Sequence, residues 1–432
     1  MTMDEIYARL EKFNGESNPE VDVSTLYGKV VCGYQGWFNA PGDGAGRGWN
    51  SWDHRYNAFK PGCCTIDLWP SVEELAEDEK YPTEFRHSDG STAYVFSSYN
   101  RKTVLRHFRW MKDYGISGAF VQRFVTPLAD PVKLNHINTV LGHCRQGANL
   151  YGRCYNVMYD LSGMDSSGVE AVMKDWKNLV DRMGLTRDPG DRSYQQHRGK
   201  PVVTLWGVGF GDGRQYTLQD CMRLVKFFME DPGYGSNTVM LGVPTGWREQ
   251  PDKHFYVPRV KERSLVMDGD CARDKYLHEV IMAADIVSPW TVDRFESLEG
   301  AECIARNVWE KDLEWCRDRG LDFMPVVFPG FSWGNLYKGE KYNQIPRQKG
   351  KFLWKQYYEA VRSGSRMIYQ AMFDEVNEGT AIFKCTNNPP AGKSTFITCE
   401  NLPEDYYLWL TGMGGRMLRR ELPFTEEVPH RG

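Results

Sequence analysis

Eight short apolar runs, rich in β-branched and aromatic residues, recur along this chain. Most are followed by a loop and a stretch of helical periodicity, as at residues 169–183, 218–230 and 301–320. Continuous apolar strands that alternate with helices are typical of parallel strands buried on both faces. Eight such units favour an α/β fold of the closed (β/α)8 TIM barrel type over an open, doubly wound sheet. The runs span residues 29–38, 116–124, 152–160, 201–210, 237–244, 285–292, 322–331 and 366–375.

Glycine-rich stretches at residues 42–48 and 207–213 raise the alternative of a nucleotide-binding sheet. Such a sheet usually carries a glycine-rich phosphate loop after its first strand. Neither stretch contains the pattern G-x-G-x-x-G or G-x-x-x-x-G-K-[ST]. We interpret these glycines as residues that shape loops.

Residues 39–100, after the first run, are too many for a simple connection. We expect this loop region to form a small subdomain over the mouth of the barrel. No linker marks a domain boundary, so residues 1–432 are predicted to form a single barrel domain. The segment up to about Tyr27 is expected to be helical and peripheral, and residues 405–421 to form a closing helix and turn.

The charges of the chain are mixed, with 53 basic and 57 acidic residues and a formal charge of −4. No basic block or stripe indicates a nucleic acid or an anionic membrane as a partner. No apolar stretch approaches the roughly eighteen residues of a transmembrane helix. The eleven cysteines are scattered and odd in number, which suits free thiols in a reducing compartment. With no signal-peptide pattern at the start, we expect a cytoplasmic protein.

Two glutamates, Glu375 and Glu378, stand where the eighth apolar run gives way to a turn. Barrels of this type build their sites at the C-terminal ends of the strands. Residues three apart on a regular strand face opposite ways, but a turn relieved by Gly379 would direct both carboxylates to one cavity. Paired carboxylates cleave glycosidic bonds, one as general acid and the other as base or nucleophile. The alternative is a solvated acidic turn.

Polar and aromatic residues end or follow most of the other runs. Sugar rings present C–H faces that stack on aromatic planes, although any single Trp is explained as simply by a place in the core. Many such residues at one face of a barrel predict a carbohydrate cleft. The predicted substrate-binding residues are Tyr34, Trp37, Trp52, Gln122, Arg123, Tyr159, Asp160, Trp206, Trp247, Arg248, Trp290, Phe331, Trp333 and Asp374.

The segment FDEVNEGT at residues 373–380 resembles a motif of glycoside hydrolase family 99 and its family 71 relatives. The stretches VVFPGFSW, GVPTGWR and GYQGWF extend the resemblance over most of the chain, although only the first motif is specific. Family 99 contains endo-α-mannosidases on a (β/α)8 barrel whose eighth strand ends in F-N-E-W-x-E-G-T. The resemblance implies that Glu375 acts as a base on the 2-hydroxyl of the substrate, giving an anhydro-sugar. It implies that Glu378 protonates the departing oxygen and later activates water.

The chain departs from this family pattern at several positions. Asp374 replaces the family's Asn, Val376 replaces its Trp, and Gln122 and Arg123 stand where the family has a tryptophan-rich strand end. Mannose specificity is therefore not transferred. Arg123 and Arg248 would tolerate an acidic or sulfated sugar on the ground of their charge, and Asp374 adds a carboxylate that would raise the pKa of a neighbouring acid.

The predicted function is hydrolysis of a glycosidic bond, expected to be α-linked, in an oligosaccharide or polysaccharide. No cofactor and no metal are expected, because the nine histidines form neither an H-E-x-x-H nor an H-x-H pattern. One alternative is a non-catalytic carbohydrate-binding barrel. Another is a conventional retaining glycosidase with Asp160 as nucleophile, favoured by a carboxylate spacing of about 5–5.5 Å.

Overall fold

The computed structural model describes residues 1–249, 256–258, 264–266 and 274–431. Its strands are β1 (Val30–Tyr34), β2 (Tyr81–Arg86), β3 (Thr92–Val95), β4 (Gly118–Phe124), β5 (Cys154–Asp160), β6 (Gln196–His197), β7 (Lys200–Trp206), β8 (Thr238–Pro244), β9 (Tyr256–Pro258), β10 (Ser264–Val266), β11 (Ile286–Trp290), β12 (Asp322–Phe323), β13 (Val326–Val327) and β14 (Ile368–Gln370). Its α-helices are α1 (Met3–Tyr7), α2 (Arg101–Asp113), α3 (Pro131–Tyr151), α4 (Gly168–Asp181), α5 (Leu218–Glu230), α6 (Tyr276–Met282), α7 (Leu298–Ile304), α8 (Glu310–Asp318), α9 (Lys351–Arg362) and α10 (Tyr406–Leu418).

The main sheet is parallel and closes on itself. Its strands follow the order β12, β11, β8, β7, β5, β4, β1, β14, β13. Only Met324 and Pro325 separate β12 from β13, so these two pieces are one seventh strand, paired with β11 on one side and with β14 on the other. The interruption remains bonded to both neighbours, since the Met324 N–H donates to Val287 and the Pro325 carbonyl accepts from Tyr369. The predicted (β/α)8 barrel is confirmed, with one strand in each of the eight apolar runs.

The predicted helices are confirmed with one interruption. The run at 218–230 is α5, and that at 169–183 is α4, which ends two residues earlier, at Asp181. The run at 301–320 is divided, because a π-helical turn at Ala305–Trp309 lies between α7 and α8. Within the described residues, no helix has the length and apolar character needed to cross a membrane.

The expectation for the N-terminal segment is wrong in extent. Only α1 is helical there, and it begins with a capping box in which Thr2 and Glu5 satisfy each other's backbone N–H groups. The chain then continues without regular structure to β1, through Gly15 and Pro19, which both disfavour a helix. The predicted closing helix is present as α10.

Residues 39–100 contain the antiparallel hairpin β2–β3 and a cluster of buried aromatic rings. Trp52 lies in this cluster, with its ring centre 4.4 Å from that of Phe38 and 5.3 Å from that of Phe96. The Asn377 side chain, from the segment after β14, donates to the carbonyl groups of Ser51 and Thr65. That residues 39–100 form a separate subdomain stays a prediction.

Side chains of the barrel strands alternate between the barrel interior and the surrounding helices. On β4, the inward Phe120 stacks on Tyr369 of β14, with ring centres 5.2 Å apart. The outward Arg123 is buried and forms two bonds of 2.7 and 2.6 Å to Asp175 of α4. Tyr7 and Tyr159 also donate to that carboxylate. A charged network therefore joins two strands to the helix layer.

Replacing Asp175 by Ala is expected to lower the free energy of unfolding by about 3–5 kcal/mol, because the variant leaves the guanidinium of Arg123 buried without its counter-charge. Thermal and urea unfolding of the purified variant measure the change. Glu170→Ala is the matched control on the same helix, since its bond to Arg223 lies at the surface. The control is expected to lose less than about 1 kcal/mol. Equal losses in the two variants would contradict a buried, charged network.

Candidate active site

Glu375 and Glu378 lie in a tight turn that follows β14. The backbone carbonyl of Glu375 accepts the N–H of Ala381, and that of Glu378 accepts the N–H of Ser332 at 2.8 Å. Gly379 has φ +64°, and a Cβ there would lie 3.3 Å from the backbone nitrogen of Ser332. The turn thus requires glycine for both its conformation and its closeness to the loop after β13.

The segment 39–100 fixes the backbone between the two glutamates. The N–H groups of Asp67 and Leu68 both donate to the carbonyl of Val376, at 2.8 and 3.3 Å. Asn377 is buried and reaches into the same segment through its side-chain amide. Both residues that separate Glu375 from Glu378 are therefore held from outside the turn.

Asp374 connects this turn to the loop after β1. It is fully buried, and its carboxylate accepts the backbone N–H groups of Gln35 and Gly36 at 2.7 and 2.8 Å. Burial raises the pKa of Asp374 to about 6. The Gln35 side chain in turn donates to Glu375 Oε2 at 3.0 Å. Asp374 thus fixes the backbone of the loop after β1 at Gln35 and Gly36. The expectation that it binds substrate is not met.

The carboxylate of Glu375 is held in an environment that disfavours its charge. Only 5% of the residue is exposed, and burial is the main reason that its pKa lies well above the ordinary value. The negative charge of Glu378 raises it further, followed by those of Asp374 and Asp160, while the hydrogen bond from Gln35 lowers it. Glu375 therefore retains its proton far above the pH at which an exposed glutamate loses it.

Glu378 lies nearer the surface and keeps part of its area exposed. Burial raises its pKa to about 7, against the lowering effect of a 3.4 Å hydrogen bond from the indole N–H of Trp333. The two glutamates share one electrostatic environment, because the charge of one raises the pKa of the other. A pair of this kind holds one proton near neutral pH, which acid–base catalysis requires.

Three further tryptophans of the predicted set are partly exposed and lie at the same end of the barrel as Glu375 and Glu378. The ring centre of Trp290 lies 6.2 Å from that of Tyr369, whose pKa is raised first by burial and then by the charge of Glu375. Trp206 packs edge-on against Trp290 with ring centres 5.4 Å apart. Trp37 stacks on Phe124, which pairs in register with Asp160 at the end of β5. The structure thus brings these rings to the C-terminal end of the barrel.

Two polar residues of the predicted set face the barrel interior beside the pair. Asp160 is 5% exposed, accepts the N–H of Ser162 at 2.8 Å, and has its pKa raised to about 6 by burial. The negative charge of Asp160 contributes to the raised pKa of Glu375. Gln122 lies on β4, two residues before the residue that pairs with Asp160, and its buried Oε1 has no hydrogen-bond partner among the described residues.

Five predicted substrate-binding residues instead face the helix layer. The carboxylate of Asp312 on α8 accepts the indole N–H of Trp247 and the Nε–H of Arg248, at 3.1 and 2.8 Å. A second carboxylate, that of Asp175, accepts hydrogen bonds from Arg123 and Tyr159 in the same way. The hydroxyl of Tyr34 is bonded to His107 of α2 at 2.9 Å. The expectation that these five bind a sugar is not met. Both Arg123 and Arg248 are paired with carboxylates of the helix layer, so neither supports an acidic or sulfated sugar. The residues are Tyr34, Arg123, Tyr159, Trp247 and Arg248.

Two further predicted residues are packed inside the protein. Trp52 is fully buried in the aromatic cluster of residues 39–100. Phe331 is 1% exposed and lies beneath Trp333, with ring centres 4.9 Å apart. Neither offers a face to a ligand, so the sequence assignment of both as binding residues is corrected to the core.

Some residues of the site were not singled out from the sequence. Gln35, which bonds Glu375, lies in the quoted stretch GYQGWF, and its position one residue after the outward Tyr34 would have indicated it. Arg214 lies over the rings of Trp206 and Phe210 at 5.4 and 5.0 Å and fixes that wall of the site. No local pattern marks Arg214, since it lies in a loop.

The pattern G-x-S-x-G at residues 330–334 is the one found at the nucleophile elbow of many esterases. Ser332 at its centre is fully buried, donates its hydroxyl to Asp67 and accepts the N–H of Asn343 at 2.9 Å. The serine is thus an anchor of the loop after β13.

No known family profile matches the sequence, and no curated protein matches it. Among solved structures, it is similar to two of the GH99 endo-alpha-mannosidase from Bacteroides thetaiotaomicron, one of them in complex with bis-tris-propane. The complex is 15% identical in sequence to this chain, with a TM-score of 0.61, and the alignment covers 92% of this chain and 98% of the mannosidase chain. The other structure is 14% identical, with a TM-score of 0.60, and the alignment covers 92% of this chain and 99% of the mannosidase chain. A structure described as a glycoside hydrolase-like protein covers 96% of this chain and 99% of its own, at 12% identity and a TM-score of 0.51. The resemblance to family 99 is thereby confirmed at the level of the fold.

Glu375→Gln is expected to stabilise the protein, and increasingly so as the pH rises. Because the pKa of Glu375 in the folded state exceeds the ordinary value of 4.5, the folded state binds more protons above that pH. The free energy of unfolding of the wild type therefore falls as the pH rises from 4.5 through the folded-state pKa, by about 1.4 kcal/mol for each pKa unit. The difference in Tm between variant and wild type, measured across this range, should grow with pH.

The exposed Glu73 offers a control, because Glu73→Gln should give a difference in Tm that hardly changes with pH. A difference for Glu375→Gln that is equally flat would show that this carboxylate is solvated in the folded protein.

Proposed function

We propose that this protein is a glycoside hydrolase that cleaves an α-linkage in an oligosaccharide or polysaccharide, with Glu375 and Glu378 as its acid–base pair. The observation that carries the proposal is a pair of adjacent carboxylates with raised pKa values at the C-terminal end of the last barrel strand. An indole contacts one of them, and other partly exposed indoles lie at the same end of the barrel. The fold shared with family 99 structures supports the assignment.

The roles follow the family resemblance. Glu375 takes the proton of the substrate 2-hydroxyl while that oxygen forms a bond to C1, and Glu378 gives its proton to the oxygen that leaves C1. In the second step Glu378 takes a proton from water while the water oxygen bonds to C1. The bond between C1 and the 2-oxygen breaks, and the 2-oxygen recovers its proton from Glu375. The two carboxyl groups end as they began, and the product keeps the anomeric configuration of the substrate.

This scheme begins with a proton on Glu378 and a charge on Glu375. In the site without ligand, burial raises the pKa of both carboxyl groups, and the charge of Glu378 raises that of Glu375 further, so the pair retains a proton near neutral pH. A substrate hydroxyl that donates a hydrogen bond to Glu375 favours its ionised form. Substrate binding therefore places the proton on Glu378, and the partly exposed glutamate becomes the acid.

The non-catalytic carbohydrate-binding barrel would use the same rings but has no need of two adjacent buried carboxylates, which lower stability when ionised. The retaining mechanism with Asp160 as nucleophile is favoured by one observation, the effect of the Asp160 charge on Glu375. It differs from the proposal in requiring Asp160 for bond formation to C1.

The test is the turnover of 4-nitrophenyl glycosides and of short α-linked gluco-, galacto- and manno-oligosaccharides. Glu375→Gln and Glu378→Gln are each expected to lower kcat/KM on oligosaccharides by about 10²–10⁴-fold, the usual contribution of a general acid or base. Nitrophenolate leaves without much help from an acid, so Glu378→Gln should retain more activity on an activated aryl glycoside than Glu375→Gln does. Glu73→Gln is the control and should be unchanged.

Product anomers followed by NMR should show retention. Unchanged turnover in both glutamine variants would refute the assignment of the pair. Binding of a sugar by the wild type without cleavage would favour the carbohydrate-binding barrel. A complete loss in Asp160→Asn with only a mild loss in Glu375→Gln would favour the conventional nucleophile.

A further inference from the structure

The loop after β13 carries an aromatic surface that begins at the catalytic pair and continues outward. Trp333 donates its indole N–H to Glu378 at 3.4 Å. The ring of Tyr337 lies 4.9 Å from that of Trp333, at an interplanar angle of 69°. Trp333 is partly covered, whereas Tyr337 is 53% exposed. The aromatic surface thus becomes more accessible with distance from Glu378.

The backbone that carries Tyr337 is anchored on both sides. The buried carboxylate of Asp67 accepts the N–H groups of Gly334 and Asn335 at 2.7 and 2.8 Å, as well as the Ser332 hydroxyl. Gln344 accepts the N–H of Trp333 at 2.9 Å.

Hydrogen bonds within the loop complete this support. The N–H of Tyr337 donates to the carbonyl of Trp333, and Phe331 and Ile345 exchange two backbone bonds of 3.0 Å at the base of the loop. Tyr337 therefore stands on a fixed turn, and its exposed face has a defined position relative to Glu378.

An exposed ring of this kind fits a sugar. The face of a tyrosine carries partial negative charge, and the C–H hydrogens of a pyranose carry partial positive charge. The neighbouring Tyr342 is 40% exposed and bonds the side chain of Asn335, so a second ring borders the same turn. Polar groups at the ring edges can bond hydroxyls that flank a stacked sugar.

We propose that Tyr337 is the platform of a sugar subsite on the leaving-group side of the bond that is cleaved. This inference rests on the proposed function, in which Glu378 protonates the leaving oxygen. A sugar that departs from Glu378 first meets Trp333, and the next unit lies over Tyr337. The ligand of this subsite is a pyranose unit of the leaving oligosaccharide.

The test compares substrates with and without sugar units on the leaving-group side. In Tyr337→Ala, kcat/KM for oligosaccharides extended on that side should fall by about 3- to 10-fold, the usual worth of one aromatic contact. The same variant should cleave aryl glycosides, which place no sugar over Tyr337, at the wild-type rate and with an unchanged pH profile. Tyr337→Phe keeps the face of the ring and should therefore cleave the extended substrates at close to the wild-type kcat/KM.

Phe424→Ala is the matched control. Phe424 is 52% exposed and stacks on Tyr358 of the outer helix α9, with ring centres 4.6 Å apart. Removal of the Phe424 ring should leave kcat/KM unchanged for both the aryl glycosides and the extended oligosaccharides. A loss in Tyr337→Ala that is equal for aryl glycosides and extended substrates would assign the ring to the support of Trp333 and overturn the proposal. No loss on either would also overturn it.

A binding measurement separates this proposal from the hydrolase assignment. In saturation-transfer NMR with the same α-linked gluco-, galacto- and manno-oligosaccharides, Glu375→Gln should give signals from the leaving-group units. These signals should disappear when Tyr337→Ala is added. Turnover by the wild type without this loss of signal would refute the subsite alone. Loss of signal without any turnover by the wild type would retain the subsite and refute the hydrolase. Absence of binding by every series would count against both.

Discussion

Closure of the barrel through its last strand is the constraint on which the candidate site depends. β14 has only three residues and pairs with β1 on one side and β13 on the other. The chain that leaves β14 therefore emerges between the loops after β1 and β13. This adjacency lets Asp374 bind the backbone of the first loop, while Glu378 accepts a backbone bond from the second. The two glutamates are positioned by their neighbours, with no regular element of their own.

The site gathers four acidic side chains, of which Asp374 also holds the backbone of the loop after β1. Glu375, Glu378, Asp160 and Asp374 all have pKa values raised by burial, and the charges of the other three act on Glu375. Such groups reduce stability at neutral pH, in contrast to the Arg123–Asp175 network, whose charges are matched. Native proteins keep strained or costly groups mainly where function requires them. Burial alone does not mark such groups, since it also raises the pKa values of the structural Asp67 and Asp312. The physical reason to read the glutamate pair as chemical groups is that the charges of three neighbouring carboxylates act on Glu375.

The sequence predicted the eight strands because burial on both faces leaves continuous apolar runs. That same two-sided burial conceals which residue faces the mouth. Arg123 and Tyr159 are each one residue from an inward position, at Gln122 and Asp160, and both face helices instead. The position of each strand was therefore predictable, but which of its last residues point into the barrel and which point to the helices was not. Asp67 shows a second limit, since it holds the loop of Trp333 from 265 residues away and no local pattern indicates that contact. Glu375 and Glu378 were found because their motif is local.

Glu375 and Glu378 share one environment in which burial disfavours the charge of both and the charge of Glu378 further disfavours that of Glu375. Carbon-13 NMR of the glutamate carboxyl carbons, followed against pH in the wild type and in Glu378→Gln, tests this arrangement most directly. Both groups are expected to titrate above the ordinary value of 4.5, and the pKa of Glu375 is expected to fall when Glu378 becomes Gln. An ordinary pKa for Glu375 that does not respond to the substitution would contradict this arrangement.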